Sequence, residues 1–248
     1  MILIILEAPC TKEQKAQISV WDIESSDLYS FLSRLRSEGK YVPTAAAMVY
    51  YHVLDKMPRI LSQIREMGME ATTYFVTPYT VAREDDYVIV VRECLDSLSI
   101  AELEKLFEIF RVRDRVYDLL EQDFYLAVIC MNRKLLRVLD LDYYIPTSKP
   151  IIIVSDVYTS PKSNVLVITP THFLSRRITK SPTYGPEFCM SILSYLSKAM
   201  AYLHKHIGKQ HFRELLRSPP EFFQIVFSLE VIERIVGRKG VKLDAFFG

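Results

Sequence analysis

Glycine is scarce in this chain, with 7 residues in 248. That leaves little material for the glycine-rich loops that cradle phosphates, and neither GxxxxGK[ST] nor GxGxxG occurs. HExxH and GxSxG are missing as well, which removes the commonest signatures of zinc proteases and serine hydrolases. Cysteine is thin and scattered: Cys10, Cys94, Cys130 and Cys189 sit among apolar neighbours, with no CxxC pair and no Cys/His ligand spacing. A zinc site is not expected, and a reduced, cytoplasmic compartment fits such usage. No run approaches the roughly 18 apolar residues of a membrane span. Charge of one sign is missing too, since 31 Lys and Arg face 30 Asp and Glu. Any nucleic-acid role must therefore come from local clusters rather than from the overall field.

What the chain does have is apolar runs and helix signals. MILIILEAP lacks a basic leader region and reads as a first strand rather than a signal peptide. Ser25 and Ser26 can cap a helix carrying Leu28, Phe31, Leu32 and Leu35, ended by Gly39. A second helix is expected over 44–67, kinked or interrupted by Pro58. Residues 72–79 and 86–92 read as strands. Ser99 with Glu102 forms a capping box before another helix. Residues 124–131 and 135–144 read as two more strands, and IPTSKP (145–150) as a linker. Two strands follow, over 150–159 and 164–171, and then a long helix over 186–207. Pro219-Pro220 separates that helix from a last apolar segment and a basic turn at 237–240. The strand–helix–strand order thus occurs twice, which predicts two α+β units, 1–147 and 148–248.

The chemistry-bearing residues left are basic side chains at element ends, with histidines and tyrosines. Arg34, Arg36 and Lys40 precede Tyr41; Arg111, Arg113 and Arg115 form a second group. Arg176, Arg177 and Lys180 follow the stretch VLVITPTH, in which a strand halts at a proline and offers His172. Arg234, Arg238, Lys239 and Lys242 form the last group. Each group alone also describes a solvated face or a helix-dipole partner. Interleaved with aromatics on a near-neutral chain, together they suggest a phosphate-binding groove. His204 and His206 suit the end of the long helix, and His52 sits within the apolar run YYHVL as a core histidine would. Acidic pairs occur at Asp85-Asp86 and Asp140/Asp142, but Asp85-Asp86 sits in a turn between strands, where solvation explains it, so metal-dependent phosphodiester chemistry is not signalled.

VLVITPTHFLSRR, then GPEFCMSILSYLSKAMAYLHKHIGK, then VGRKGVKLDAFFG resembles the C-terminal half of CRISPR repeat-processing endoribonucleases, and LYSFLSRLRSEGKYVP is similar to their opening helix. The resemblance implies two ferredoxin-like (RNA-recognition-motif-like) domains with antiparallel sheets. It also implies metal-independent, cofactor-free cleavage of precursor repeat RNA, in which the ribose 2′-OH attacks its own phosphate. Tyr41 or His52 would then act as general base or acid, with Lys40 stabilising developing charge. Arg34, Arg36, His172, Arg176, Arg177, Lys180, Arg238, Lys239 and Lys242 would hold the RNA. The family's histidine near the end of the first helix has no counterpart between Arg34 and Tyr41, and its C-terminal glycine-rich loop has none before Gly248. A non-catalytic RNA-binding or scaffold member, in an effector complex or as a homodimer, is the alternative within that superfamily.

A different class is also open. PTAAAMVYYHVLDKM, TTYFVTPYT and DDYVIVVRECLDSLS resemble a degenerate DHH-type phosphoesterase domain acting as a replication-complex partner. The acids of that motif are missing. The two readings differ in their sheet: antiparallel for the first, parallel for the second.

Overall fold

The strand opening the chain becomes the middle of the sheet. A computed structural model describes residues 1–7, 56–78, 80–83, 98–146 and 148–237. Its strands are β1 (Ile2–Glu7), β2 (Ala71–Thr77), β3 (Thr80–Arg83), β4 (Leu126–Cys130), β5 (Ile151–Val154) and β6 (Val165–Ile168), in spatial order β3-β2-β1-β4-β5-β6. Five of them run parallel, β2-β1-β4-β5-β6, and β3 is an antiparallel hairpin strand on the outer edge of β2. The register sets Ile2 opposite both Ala71 and Leu126, and Ala127 opposite Ile151.

This corrects the expectation of two ferredoxin-like domains with antiparallel sheets. One sheet carries all the described strands, and β4 pairs directly with β5, although these lie on either side of residue 147. The physical sign is in the strands themselves. Every residue of ILIILE, LAVIC and IIIV is buried, as parallel strands covered on both faces require, whereas an antiparallel half-exposed sheet alternates.

Helices cover both faces. On one lie α1 (Met57–Glu66), α6 (Phe173–Ile178), α7 (Pro186–Leu215), α8 (Pro219–Val226) and α9 (Leu229–Val236), packed against Ile2, Ile4, Leu6, Val128 and Ile152. On the other lie α2 (Ile100–Ile109), α3 (Val112–Glu121) and α4 (Arg133–Leu139), packed against Leu3, Ile5, Ala127 and Ile153. Alternate side chains of each strand thus feed two separate cores. A short helix, α5 (Leu141–Tyr144), follows α4.

Residues 135–144, expected as a strand, are helical instead. The Asn132 side chain accepts from the Leu135 amide at 3.1 Å and so caps α4. Leu135, Leu136, Val138 and Leu139 then fall on one buried face. Arg113 Nε donates to the Val138 carbonyl at 2.6 Å and the Tyr117 hydroxyl to that of Leu139, which satisfies the helix's last acceptors. Asp140, at φ 48, breaks the helix. Pro58 sits in the first turn of α1, where a missing N–H costs nothing, rather than kinking a longer helix. The capping box at Ser99 and Glu102 forms in both directions. The long helix runs past the expected 207 to Leu215, broken at Gly208 by φ 80 and ψ 160.

Candidate functional site at the carboxyl edge of the sheet

Because five strands are parallel, their carboxyl ends share one edge. Strand order reverses between β1 and β4, the place where doubly wound sheets open a crevice for ligands. At that reversal Glu7, 9% exposed, accepts the Asn132 amide at 2.6 Å. Next to it, Asp156 beyond β5 accepts from the Arg133 amide at 2.8 Å and from the Ser155 hydroxyl at 3.1 Å. Its other oxygen lies 3.7 Å from Arg133 Nε. These bonds stitch the ends of β1, β4 and β5 to the start of α4.

Beyond this seam a cavity of about 530 Å³ opens between α4 and the loop after β5, lined by Ile100, Arg133, Lys134, Arg137, Val157, Tyr158 and Thr159. Arg133 and Arg137 are one helical turn apart, so their side chains rise from the same face. Lys134 Nζ donates to the Leu98 carbonyl at 3.3 Å and ties α4 to the start of α2. Burial, with Asp142 beside it as hydrogen-bond partner, pushes the Tyr158 phenol well above its usual range, so it stays protonated.

The other helical layer reaches the same edge at β6. The strand ends at Ile168, Pro170 turns the chain, and His172 stands at the cap position of α6. The Ser175 hydroxyl bridges the carbonyls of Pro170 and His172, at 3.0 and 2.7 Å, and fixes the turn. Phe173 is 57% exposed, and the Arg177 guanidinium lies 4.8 Å from its ring centre. Arg176 and Lys180 are exposed. His172 Nδ1 is buried with no hydrogen-bond partner among the described residues, and burial lowers the ring's pKa below 6.5. At neutral pH the ring is uncharged.

Of the residues expected to hold RNA, His172, Arg176, Arg177 and Lys180 therefore stand together at one strand end. Arg34, Arg36, Lys40, Tyr41, His52, Arg238, Lys239 and Lys242 lie outside the described residues. The Arg111 group has a structural role: Arg111 forms the turn between α2 and α3 at φ 51, and Arg113 caps α4. His206 Nδ1 meets the Tyr202 carbonyl at 2.7 Å, four residues back in the same helix. Sequence reasoning missed Arg133, Arg137, Glu7 and Asp156. The available signal was polar residues directly following buried apolar runs, in LAVICMNR and IIIVSD.

No family model, curated protein or solved structure matches this chain. The site must be read from its own chemistry. Among the described residues no group of three or more His, Cys, Asp or Glu could hold a metal ion, and no helix is long and apolar enough to cross a membrane. Cys130 and Cys189 are fully buried free thiols, and burial together with the neighbouring Cys189 pushes the Cys130 thiol far up, which makes it a poor nucleophile. A second cavity of about 550 Å³, lined by Ile207, His211, Glu214, Leu215, Glu221 and Ile225, belongs to α7 and α8. Arg213 of the same stretch lies 6.0 Å from the ring centre of Tyr125, just before β4, which places this part of α7 near the amino edge of the sheet.

Proposed function

We propose that this protein binds RNA, holding a single strand against the corner formed by β6 and α6. One observation carries the reading. An exposed aromatic ring, Phe173, stands beside Arg177, Arg176 and Lys180 at the carboxyl end of a parallel strand. Recognition of single-stranded RNA needs a surface on which a base can stack and cations that meet the backbone. Phe173 supplies the first, and the three basic residues supply the second. Neutral His172 adds a hydrogen-bonding ring rather than a phosphate counter-charge.

Binding of labelled single-stranded RNA, followed by fluorescence anisotropy over a salt series, tests this. Arg176→Glu with Arg177→Glu is expected to weaken binding at least ~10-fold and to flatten the salt dependence by about two phosphate contacts. Unchanged affinity and slope would remove the reading. Cleavage of CRISPR repeat RNA, the reaction implied by the sequence resemblance, is a further proposal resting on Tyr41, Lys40 and His52. A hairpin repeat RNA cut in EDTA, with its 2′-deoxy counterpart left intact, would support it; two intact RNAs would leave a binding protein without that activity.

A second reading is favoured by the parallel sheet, which the DHH-type resemblance implies and the endoribonuclease resemblance does not. It makes the chain a protein partner in a replication complex. RNA affinity insensitive to the α6 substitutions would favour it.

A further inference from the structure

The cavity at α4 is a separate feature from the RNA corner. It lies on the opposite helical layer, because α4 packs on the core of Leu3 and Ile5 while Leu174 and Ile178 of α6 pack on that of Ile4 and Leu6. We propose that this cavity is a nucleotide-binding site, taking a phosphomonoester attached to a nucleoside.

Three features define the ligand. The first is charge: Arg133, Lys134 and Arg137 converge on one wall, and none of the described lining residues is acidic. Asp156 offsets part of Arg133's charge from 3.7 Å but does not line the cavity, and Lys134 is tied toward Leu98. Arg137 is exposed, so its guanidinium is available for a phosphate group, which a planar fork meets with paired N–H donors. The second is the facing wall. Ile100, Val157 and the Tyr158 ring give an apolar surface against which a base or ribose can lie, and Val157 is 63% exposed. The Tyr158 hydroxyl is held by Asp142, which fixes the ring's position. The third is size and place. About 530 Å³ is within the range of small-molecule sites, and the cavity lies past the carboxyl ends of β4 and β5, the edge at which parallel sheets of this kind bind ligands. Its arginine wall is set by the seam at the strand ends, since Glu7 holds the Asn132 amide and Asp156 the Arg133 amide.

The same chemistry is presented by a free nucleotide and by the 5′-phosphate end of an RNA, and the experiment separates the two. The full chain is titrated calorimetrically with ATP, GTP, CTP, UTP and their monophosphates. In parallel it is titrated with a short oligoribonucleotide carrying either a 5′-phosphate or a 5′-hydroxyl. Wild-type protein is expected to bind at least one of these phosphorylated ligands with Kd below about 100 μM, and Arg137→Glu to weaken that binding by ~10-fold or more. Arg137 is exposed and outside both cores, so the variant is expected to fold, with a melting temperature unchanged from wild type as the check. Tightest binding by a mononucleotide identifies a free ligand. A gain that depends on the 5′-phosphate, and that Arg137→Glu abolishes, identifies an RNA end. If no phosphorylated ligand binds with Kd below about 100 μM, or if Arg137→Glu binds as wild type does, the proposal is overturned. The α6 substitutions leave this site intact, so the two proposals fail independently.

Discussion

The Glu7 carboxylate holds the backbone amide of Asn132 at 2.6 Å, which joins the end of the first strand to the start of the helix that carries Arg133 and Arg137. At 2.6 Å in a nearly closed site, this is one of the shortest bonds of the seam. Glu7→Ala leaves that amide without its acceptor and should lower unfolding stability by about 2–3 kcal/mol in urea titration. Glu7→Gln keeps an acceptor oxygen and should cost clearly less. Equal losses in the two variants would mean that packing, rather than the bond, is what Glu7 provides.

A second bond ties the long helix to the one after it. The Tyr195 hydroxyl donates to the Val226 carbonyl at 2.5 Å, and the residue is 3% exposed. Tyr195→Phe removes the donor and leaves the carbonyl at the end of α8 buried. A loss of about 1–3 kcal/mol is expected, with the core volume almost unchanged.

His172 should make stability depend on pH. Burial lowers its folded-state pKa below the 6.5 of the unfolded chain, so the unfolded state binds the proton more readily. The contribution is fully present above 6.5 and declines as pH falls through 6.5 toward the folded pKa, below which it levels off. Comparing urea midpoints at pH 7.5 and 5.5 should show a drop that is smaller in His172→Asn. A drop of the same size in both would place the titration elsewhere.

Phe173 should separate stacking from charge. Phe173→Ala is expected to weaken single-stranded RNA binding by about 1–3 kcal/mol while leaving the salt slope as it was. A changed slope with unchanged affinity at low salt would mean that the ring only positions Arg177.

Arg111 stands at φ 51, where a side chain's Cβ crowds its own carbonyl. Arg111→Gly should therefore cost nothing or stabilise by up to about 1 kcal/mol, and Arg111→Val should destabilise. Thermal melts of the two variants check the sign.

Much of the element order was legible because apolar runs bounded by turn residues have few other uses. Ile2–Leu6, Ile151–Val154 and Val165–Ile168 are strands, and the Ser99–Glu102 box opens a helix. Strand direction was harder to read, since the period of two is the same for both pairings. The continuous apolar character of ILIIL and LAVIC, burying both faces, was the available sign of parallel neighbours. Reading 135–144 as a strand took Leu and Val for β residues and overlooked Asn132 as a cap, so the wall of Arg133 and Arg137 was missed. The β6 corner was found because a proline ending a strand delivers its following residues to an edge, whatever the direction of the sheet.

The register of β1 bears on how the molecule is assembled. Its two neighbours begin at Ala71 and Leu126, and both follow it in the chain. A ribosome therefore releases this strongly apolar strand long before either of the strands that will flank it. For that interval ILIIL is an uncovered sticky segment, exposed to self-association and to whatever holdase is at hand. Closure of the sheet waits for β4 to emerge, so folding should be slow and largely post-synthetic for its first half. The same arrangement makes β1 the keystone: its alternate residues feed both cores, so a charge at Ile4 would open one and a charge at Ile5 the other.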